Sequence, residues 1–362
     1  MKILTVVGAR PQFIKASSVS REIIYKNNDG INIKEVIVHT GQHYDENMSD
    51  IFFNQMQIPI PKYNLNIGGG THGAMTGKMI KDIEDVLIIE KPDLLLIYGD
   101  TNSTLAGAIA ASKLNIMIAH VEAGLRSFNN NMPEEINRIL TDRISNFLFC
   151  PTEVSVDNLI NEGVSKWNAQ IHLVGDVMQD SAIYYSKFSV KPDNLTINSK
   201  FILATCHRAE NTDDEEIFLN IISSLEEIAK EIDIVFPIHP RARANIAKLN
   251  IKLSSNIHII DPVGYLEMIW LINKCEMVIT DSGGLQKEAY FFSKHCITMR
   301  KETEWIELVE NGYNILSGIT KEEILKAYKS NNFSNNFDKK LYGNGNASKL
   351  IVENLISYNL ES

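Results

Sequence analysis

Short apolar runs that end in glycine-containing or polar loops recur along this 362-residue chain, and helix-like stretches separate them. Lys2 to Val7 is the first run, and Leu94 to Tyr98 is among the most apolar. Such alternation is typical of parallel sheets that are covered by helices. The rhythm starts again after the polar segment Lys191 to Ser199, with a run from Phe201 to Thr205. We therefore expect an α/β protein with two doubly wound domains that face each other across a cleft.

The length of the chain also favours two domains, because a single hydrophobic core rarely grows beyond about 300 residues. We place the N-terminal domain at residues 1–174 and the C-terminal domain at residues 175–346. The final helix, residues 347–362, is expected to pack back on the first domain.

Composition excludes several classes of function. A net charge of −10 argues against nucleic-acid binding, and no apolar run approaches the roughly 18 residues of a membrane span. The N-terminus does not resemble a signal peptide. The scattered cysteines, which lack the spacing of a zinc site or a disulfide framework, are Cys150, Cys206, Cys275 and Cys296. We therefore expect a cytoplasmic protein with reduced, mostly buried thiols and no membrane or nucleic-acid partner.

The stretch from Ala119 to Arg143 places an acid where this fold binds ligands. Glu122 directly follows a predicted strand, Asn115 to Val121. Open parallel sheets bind ligands at the carboxyl ends of their strands. Glu122 is therefore a candidate functional residue.

The same stretch predicts a helix that begins at Pro133, since proline suits the first helical position. A stripe that we expect to carry surface ion pairs consists of Glu134, Arg138 and Asp142. A stripe that we expect to be buried consists of Ile136, Ile139 and Leu140.

Two strand-to-helix loops have the character of anion sites. Arg10 and Lys15 place two cations where backbone N–H groups also point outward, although a purely structural turn remains an alternative. The second loop, Asp281 to Gly284, is followed by Glu288, which is placed to accept hydrogen bonds from ribose hydroxyls. Binding of an anion and simple helix capping are equally compatible with this second loop.

Acid and base groups follow several predicted strands. His207 and Arg208 form a charged cluster that suits acid–base chemistry or phosphate binding. Asp100 is interpreted locally as a cap of the next helix, whereas His120 and His239 are interpreted as structural histidines. Four groups are nevertheless expected at strand or helix ends of one cleft, where burial shifts pKa values: Asp100, Glu122, Glu134 and His207.

An ordered set of motifs spans nearly the whole chain. These are GARP at 8–11 with Lys15, TGQH at 40–43, GDT at 99–101, HVEAGLR at 120–126, PEE at 133–135 with Asn137 and Arg138, HRAEN at 207–211, and DSGG at 281–284 with Gln286 and Glu288. Each motif is weak by itself, but together they resemble the non-hydrolysing UDP-N-acetylglucosamine 2-epimerase family.

The resemblance implies a GT-B-like fold with two Rossmann-like domains, a homodimer, and UDP held mainly by the second domain. It implies inversion of the sugar at C2 without a redox cofactor or metal, through elimination of UDP and its re-addition to a 2-acetamidoglucal intermediate. The catalytic residues that it implies are Asp100, Glu122, Glu134 and His207. The UDP-binding residues are Arg10, Lys15, Arg138, Arg208, Val263, Tyr265, Ser282, Gly283, Gly284, Glu288 and Arg300.

The chain departs from the family pattern at several positions. Ala209 stands where a second arginine is usual, and Glu302 to Glu307 reads ETEWIE in place of TTERPE. Changes after His43 and in the region Ile67 to Thr76 make activation by a second UDP-GlcNAc doubtful. The variants at 207–211 and 302–307 look more like a subgroup that acts on UDP-2,3-diacetamido-2,3-dideoxyglucuronate.

UDP-GlcNAc is the first predicted substrate and this uronate is the second, with bacterial surface polysaccharide as the destination. Three other classes stay open. They are a hydrolysing 2-epimerase, a GT-B glycosyltransferase and a non-catalytic nucleotide-sugar binding protein.

Overall fold

The computed structural model describes residues 1–41, 53, 57–330 and 332–361. These residues form two compact units, the first made of residues 1–181 with 341–362 and the second of residues 182–340. The first boundary between the units falls between residues 181 and 182, inside a helix. The boundary predicted from the sequence was between residues 174 and 175.

The first unit is built on a seven-stranded parallel sheet. Its strands are β1 (Lys2–Val7), β2 (Lys34–His39), β3 (Tyr63–Asn64), β4 (Leu94–Tyr98), β5 (Met117–Val121), β6 (Phe147–Cys150) and β7 (Gln170–Leu173). Its helices are α1 (Arg10–Asn28), α2 (His72–Glu90), α3 (Asn102–Lys113), α4 (Pro133–Ile144), α5 (Glu153–Asn161), α6 (Val177–Ser186), which runs into the second unit, and α14 (Ala347–Glu361).

The strand order in this sheet is β3-β2-β1-β4-β5-β6-β7, so the order reverses beside β1. Leu4 on β1 pairs with Val36 on one side and with Leu95 on the other. Both neighbours run parallel to β1, and the gap between the β1 and β4 loops is the switch point where doubly wound sheets bind ligands.

Helix α14 packs against α1 and completes the first unit. Lys26 Nζ on α1 lies 2.9 Å from Glu353 Oε1 on α14. The first turn of α14 is held by Asp180, whose carboxylate accepts from the backbone N–H of Ala347 at 3.1 Å and of Ser348 at 2.8 Å.

The second unit repeats the design with a six-stranded parallel sheet. Its strands are β8 (Phe201–Thr205), β9 (Asp233–Pro237), β10 (Ile257–Ile260), β11 (Met277–Thr280), β12 (His295–Thr298) and β13 (Asn314–Leu316). Its helices are α7 (Ala209–Thr212), α8 (Glu215–Ile228), α9 (Pro240–Lys248), α10 (Tyr265–Lys274), α11 (Gly283–Phe291), α12 (Ile306–Glu310) and α13 (Lys321–Tyr328).

The strand order here is β10-β9-β8-β11-β12-β13, which again reverses beside the first strand of the unit. The switch point lies between the loops that follow β8 and β11. Two doubly wound units, as predicted, are therefore confirmed. The helix expected after Thr40–His43 lies outside the described residues, and so does His43 itself. Among the described residues, no helix has both the length and the apolar content that crossing a bilayer requires.

Candidate active site

Three strand ends of the first unit carry the predicted site residues. Arg10 opens α1 directly after β1, and Lys15 lies one turn further on. Asp100 follows β4 and Glu122 follows β5. This unit therefore brings two cations and two acids to the same edge of its sheet.

Gln12, which the sequence analysis missed, ties two of these loops together. Its Oε1 accepts from the backbone N–H of Gly8 at 2.8 Å, and its Nε2 donates to the carbonyl of Tyr98 at 2.7 Å. Gln12 is buried, so these bonds fix the β1 loop to the end of β4. No local pattern in the sequence marks this glutamine.

Glu122 is held in an unusual conformation next to Lys15. Its backbone φ is +75°, in the left-handed region that side chains other than glycine rarely adopt. Its carboxylate is 5% exposed and accepts a hydrogen bond from Lys15 Nζ. A Cβ at Gly99 would lie 3.2 Å from both Glu122 Oε2 and Lys15 Nζ, so the ion pair occupies the space that a side chain at 99 needs.

Asp100 binds Arg138 and does not cap α3. Its Oδ2 accepts from Arg138 Nη2 at 2.7 Å and Nε at 3.0 Å, a two-pronged contact that suits guanidinium. The cap of α3 is Thr101, whose hydroxyl accepts from the backbone N–H of Thr104 at 3.3 Å. The local interpretation of Asp100 as a helix cap is therefore wrong, because the next residue supplies the cap.

The two predicted stripes of α4 are also wrong, because the buried face of this helix is polar. Ile136 and Leu140 are each 46% exposed. The buried residues are Glu135, Asn137, Arg138, Thr141 and Asp142. Several of them bind partners outside the helix, as when Asn137 Nδ2 donates to the Asp100 carbonyl at 2.9 Å. The predicted catalytic residue Glu134 is exposed on this helix and forms no ion pair with the described residues.

Glu135, which the sequence analysis did not single out, anchors the loop before α4. Burial alone would raise its pKa, but hydrogen bonds from the backbone N–H groups of Ser127 and Phe128 and from Arg138 outweigh this and lower it. Arg138 Nη1 lies 2.7 Å from Glu135 Oε2. Arg138 therefore joins Asp100 to Glu135.

A fully buried network joins the β4 and β5 ends to α4. His120 lies 2.7 Å from Asp142 through Nδ1 and 2.7 Å from the Gly99 carbonyl through Nε2. Arg126 donates to Asp142 Oδ2 at 2.8 Å. Burial would raise the pKa of Asp142, but the hydrogen bond from His120 and the nearby charge of Arg126 hold it below its ordinary value. The interpretation of His120 as a hydrogen-bonded structural group agrees with these contacts.

In the second unit, Asp281 organises the strand ends at the switch point. Its Oδ1 lies 3.1 Å from His207 Nδ1. Its Oδ2 accepts from the backbone N–H of Arg208 at 2.9 Å and from Asn211 Nδ2 at 3.2 Å. Burial opposes the charge on Asp281, but the hydrogen bond from His207 prevails, so the pKa of Asp281 is lowered. His207 itself is exposed.

Ser282 to Gly284 form the first turn of α11. The Ser282 hydroxyl accepts from the backbone N–H of Leu285 at 3.5 Å, which is the capping contact allowed for in the sequence analysis. Gly284 is exposed, and nothing lies within 4 Å of a Cβ placed there. Glu288 is buried one turn further on. The first turn is thus open at Gly284, where helix N-termini can bind anions, whereas Glu304 Oε1 lies against the position of a Cβ on Gly283.

Arg300 and Trp305 come from the loop after β12 and contact the same turn. Arg300 Nη1 lies 3.1 Å from Glu304 Oε2. Trp305 Nε1 donates to the Gly283 carbonyl at 3.1 Å. Lys287 Nζ lies 3.8 Å from the centroid of the Trp305 ring, a cation–π contact. Trp305 thus pins this loop to the first turn of α11. In the sequence, Trp305 stands out only as a departure from the family pattern.

The other residues predicted to bind UDP also lie in loops or at helix starts of the second unit. Arg208 Nη1 lies 3.2 Å from Glu210 Oε1. Val263 and Tyr265 are half-buried at the start of α10. Each unit therefore carries its own cluster at its own switch point. Clusters of acids, arginines and helix N-termini at such switch points are typical of doubly wound enzymes that bind anionic, nucleotide-type ligands.

Comparison with known proteins shows the family. A family model described as UDP-N-acetylglucosamine 2-epimerase matches residues 26–356, most of the chain. The chain therefore belongs to the UDP-N-acetylglucosamine 2-epimerase family, as its resemblance indicated.

Three individual proteins illustrate the similarity. The UDP-2,3-diacetamido-2,3-dideoxy-D-glucuronate 2-epimerase of Pseudomonas aeruginosa is 56% identical over 98% of this chain and 99% of its own. The UDP-N-acetylglucosamine 2-epimerase of Methanocaldococcus jannaschii is 46% identical over 97% of this chain and 98% of its own. A crystal structure of the M. jannaschii enzyme in complex with UDP-GlcNAc and UDP matches with a TM-score of 0.86 at 45% identity, over 99% of this chain and 100% of that one.

These similarities confirm the GT-B-like fold class and the enzyme class. The relatives are named as UDP-sugar 2-epimerases, which are isomerases, and the chain matches them over nearly its full length.

Proposed function

We propose that this isomerase inverts C2 of a UDP-linked 2-acetamido sugar by eliminating UDP and adding it back. A base removes the C2 proton while the bond between C1 and the β-phosphate oxygen breaks, which leaves UDP and a 2-acetamidoglucal. Protonation of C2 on the opposite face and re-formation of the C1–O bond then give the epimer. No electrons are gained or lost overall.

The observation that carries the proposal is the ion pair between buried Glu122 and half-buried Lys15 at the switch point. The C2 proton of such a sugar is only weakly acidic, so its removal needs a positioned base and coupled departure of UDP. Glu122 and Asp100 are the acids at this edge of the first sheet, and Glu134 and His207 complete the set of candidate catalytic groups. Whether Glu122 takes the proton is tested by the Glu122→Gln variant described below.

Binding of UDP is proposed for both units. Ser282 to Gly284 would hold the diphosphate through backbone N–H groups, and Glu288 would accept from ribose hydroxyls. The other residues proposed to contact UDP are Arg10, Lys15, Arg138, Arg208, Val263, Tyr265 and Arg300. Positive charges that stay in place throughout would stabilise the leaving diphosphate.

Two sugars are candidate substrates. UDP-GlcNAc is the one predicted first from the sequence. The P. aeruginosa relative named for the diacetamido uronate is 56% identical, whereas the M. jannaschii UDP-GlcNAc enzyme is 46% identical. The sequence variants at 207–211 and 302–307 favour the uronate as well. We therefore place the uronate first and UDP-GlcNAc second.

Proton NMR in D₂O tests the reaction and the substrate together. Each UDP sugar is incubated with the enzyme, and deuterium at C2 together with the C2-epimeric UDP sugar is the expected result. Release of the free epimerised sugar with UDP would instead indicate a hydrolysing epimerase. If neither sugar exchanged its C2 proton, the proposal would be overturned and a glycosyltransferase would become the better assignment.

We further propose a homodimer in the cytoplasm, supplying precursors for a bacterial surface polysaccharide. The exposed Ile136 and Leu140 on α4 are apolar side chains that a second subunit would cover. Light scattering of the wild type should give twice the 40.8 kDa chain mass. Leu140→Glu should shift the protein towards the monomer, and a monomeric wild type would contradict the proposal.

A further inference from the structure

A cavity of about 320 Å³ opens in the second unit beside the end of β12. Its walls are Glu210 and Asn211 from α7, Ile217 from α8, the loop Arg300 to Glu302, and Ile319. This volume is in the range of small-molecule binding sites. The cavity mixes apolar side chains with charges of both signs, which is typical of a site for a polar ligand of defined shape.

The cavity adjoins the first turn of α11. Arg300 Nη1 lies 4.0 Å from the position of a Cβ on Gly283. Asn211 Nδ2 donates to Asp281 Oδ2 and to the Met299 carbonyl, at 3.2 Å each, so it joins the ends of β11 and β12. If this turn holds the diphosphate, the group bonded to the β-phosphate has the cavity directly beside it. In a UDP sugar, that group is the sugar.

Most charges at the cavity already have partners. Arg300 pairs with Glu304 at 3.1 Å, and Glu210 pairs with Arg208 at 3.2 Å. Lys301 and Glu302, in contrast, are exposed and form no ion pair within the part of the chain that the structure describes. Their side chains are therefore available to a ligand at the cavity entrance.

We infer that this cavity receives the C6 end of the sugar and that Lys301 binds a carboxylate at C6. Glu302 would accept a hydrogen bond from an acetamido N–H. A sugar that carries both a carboxylate and amide donors matches a cavity with both signs of charge better than a neutral hexose does. The inference rests on the proposed function and names the residue that selects a uronate.

A binding experiment tests the carboxylate contact without catalysis. UDP-glucuronate and UDP-glucose differ only in whether C6 is a carboxylate or an alcohol. By calorimetry, the wild type should bind UDP-glucuronate roughly tenfold more tightly, as expected for a hydrogen bond between charged groups. Lys301→Ala should bring the two affinities close together. Lys230→Ala, which removes an exposed lysine elsewhere in the second unit, should leave the wild-type ratio unchanged.

An unchanged preference in Lys301→Ala would overturn the inference, and so would a wild type that binds the two ligands equally well or not at all. Deuterium exchange at C2 keeps this result separate from the proposed function. Lys301→Ala should slow exchange on the diacetamido uronate while affecting UDP-GlcNAc little. If the wild type exchanged the uronate but Lys301→Ala did so equally well, only the role of Lys301 would be wrong. If the wild type exchanged neither sugar, the proposed reaction would fail, whatever the binding ratio.

Discussion

Nδ1 of His120 lies 2.7 Å from Oδ1 of Asp142, and both side chains are fully buried. The other ring nitrogen faces the Gly99 carbonyl at 2.7 Å. His120 thus bridges the carboxylate of Asp142 and the end of β4. His120 and Arg126 both contact Asp142, and together they hold the loops that present Asp100 and Glu122.

Replacing Asp142 should unfold the first unit more easily. Asp142→Asn leaves His120 and Arg126 buried without their anion, and breaking a buried ion pair from one side costs about 3–5 kcal/mol. Urea unfolding followed by circular dichroism measures the loss. Asp85→Asn, which changes a 60% exposed aspartate of the same unit, should cost less than about 0.5 kcal/mol. Equal stability of the two variants would contradict the role given to the network.

Glu122→Gln should keep UDP binding but lower turnover by roughly 10²-fold or more, as expected when a proton-transfer group is removed. The C2 deuterium exchange rate measures turnover, and calorimetry measures UDP binding. Glu353→Gln, a change on α14 of the same unit, should leave both unaffected. Near-normal turnover in Glu122→Gln would contradict the assignment of Glu122 as a catalytic residue.

Arg10→Ala should mainly weaken the binding of UDP. Losing one charged hydrogen-bond donor to a phosphate typically costs about 1.5–3 kcal/mol, or roughly tenfold or more in affinity. Calorimetry with UDP is the direct measurement. Arg21→Ala removes a second arginine from α1 and serves as the matched control. An unchanged UDP affinity in Arg10→Ala would argue against its contact with phosphate.

The free energy of unfolding should fall steeply at acidic pH. The native pKa values of Glu135, Asp142 and Asp281 are lowered, so the folded protein binds their protons more weakly than the unfolded chain does. Their contribution is present above the unfolded pKa values of about 4 and is lost as pH falls through the lower native values. Burial raises the pKa of Glu35 and Asp180, which act in the opposite direction above about pH 4.

Calorimetric Tm values between pH 7 and pH 2 test this expectation. The Tm should change little down to about pH 5 and then drop below about pH 4. Asp142→Asn should show a shallower drop. A wild-type Tm that stays constant to pH 2 would contradict the pKa shifts.

The strands could be predicted from sequence, and the packing of α4 could not. Leu94–Tyr98 and Phe201–Thr205 were predicted with the bounds that the structure has. Strands that are buried on both faces consist of continuous apolar residues, which makes them easy to locate in a sequence. On α4, the periodicity of Ile136 and Leu140 indicated the wrong face. The partners that bind its buried polar side chains come largely from residues 100–128, and no local pattern reveals these contacts.

The candidate site shows the same division. Glu122 was identifiable because an acid after a buried strand stands out, and Asp100 fell at a strand end for the same reason. Its partner Arg138 lies 38 positions away, and the contact between the two was not predicted. The family resemblance gave Arg138 only as a residue that binds UDP. Gln12 acts through hydrogen bonds to the backbone of Gly8 and Tyr98, and Trp305 acts through one to the Gly283 carbonyl. Such contacts leave no periodic trace in a sequence.

The four cysteines have a practical consequence for spectroscopy. All are buried, and burial raises the pKa of Cys150, Cys275 and Cys296 to about 12 and that of Cys206 well above its usual value. At neutral pH the chain should therefore be almost inert to maleimide dyes, since the thiolate is the reactive form. Asp85→Cys and Lys230→Cys would then place one dye on each unit, and energy transfer between the dyes would report any change in their separation when UDP is added.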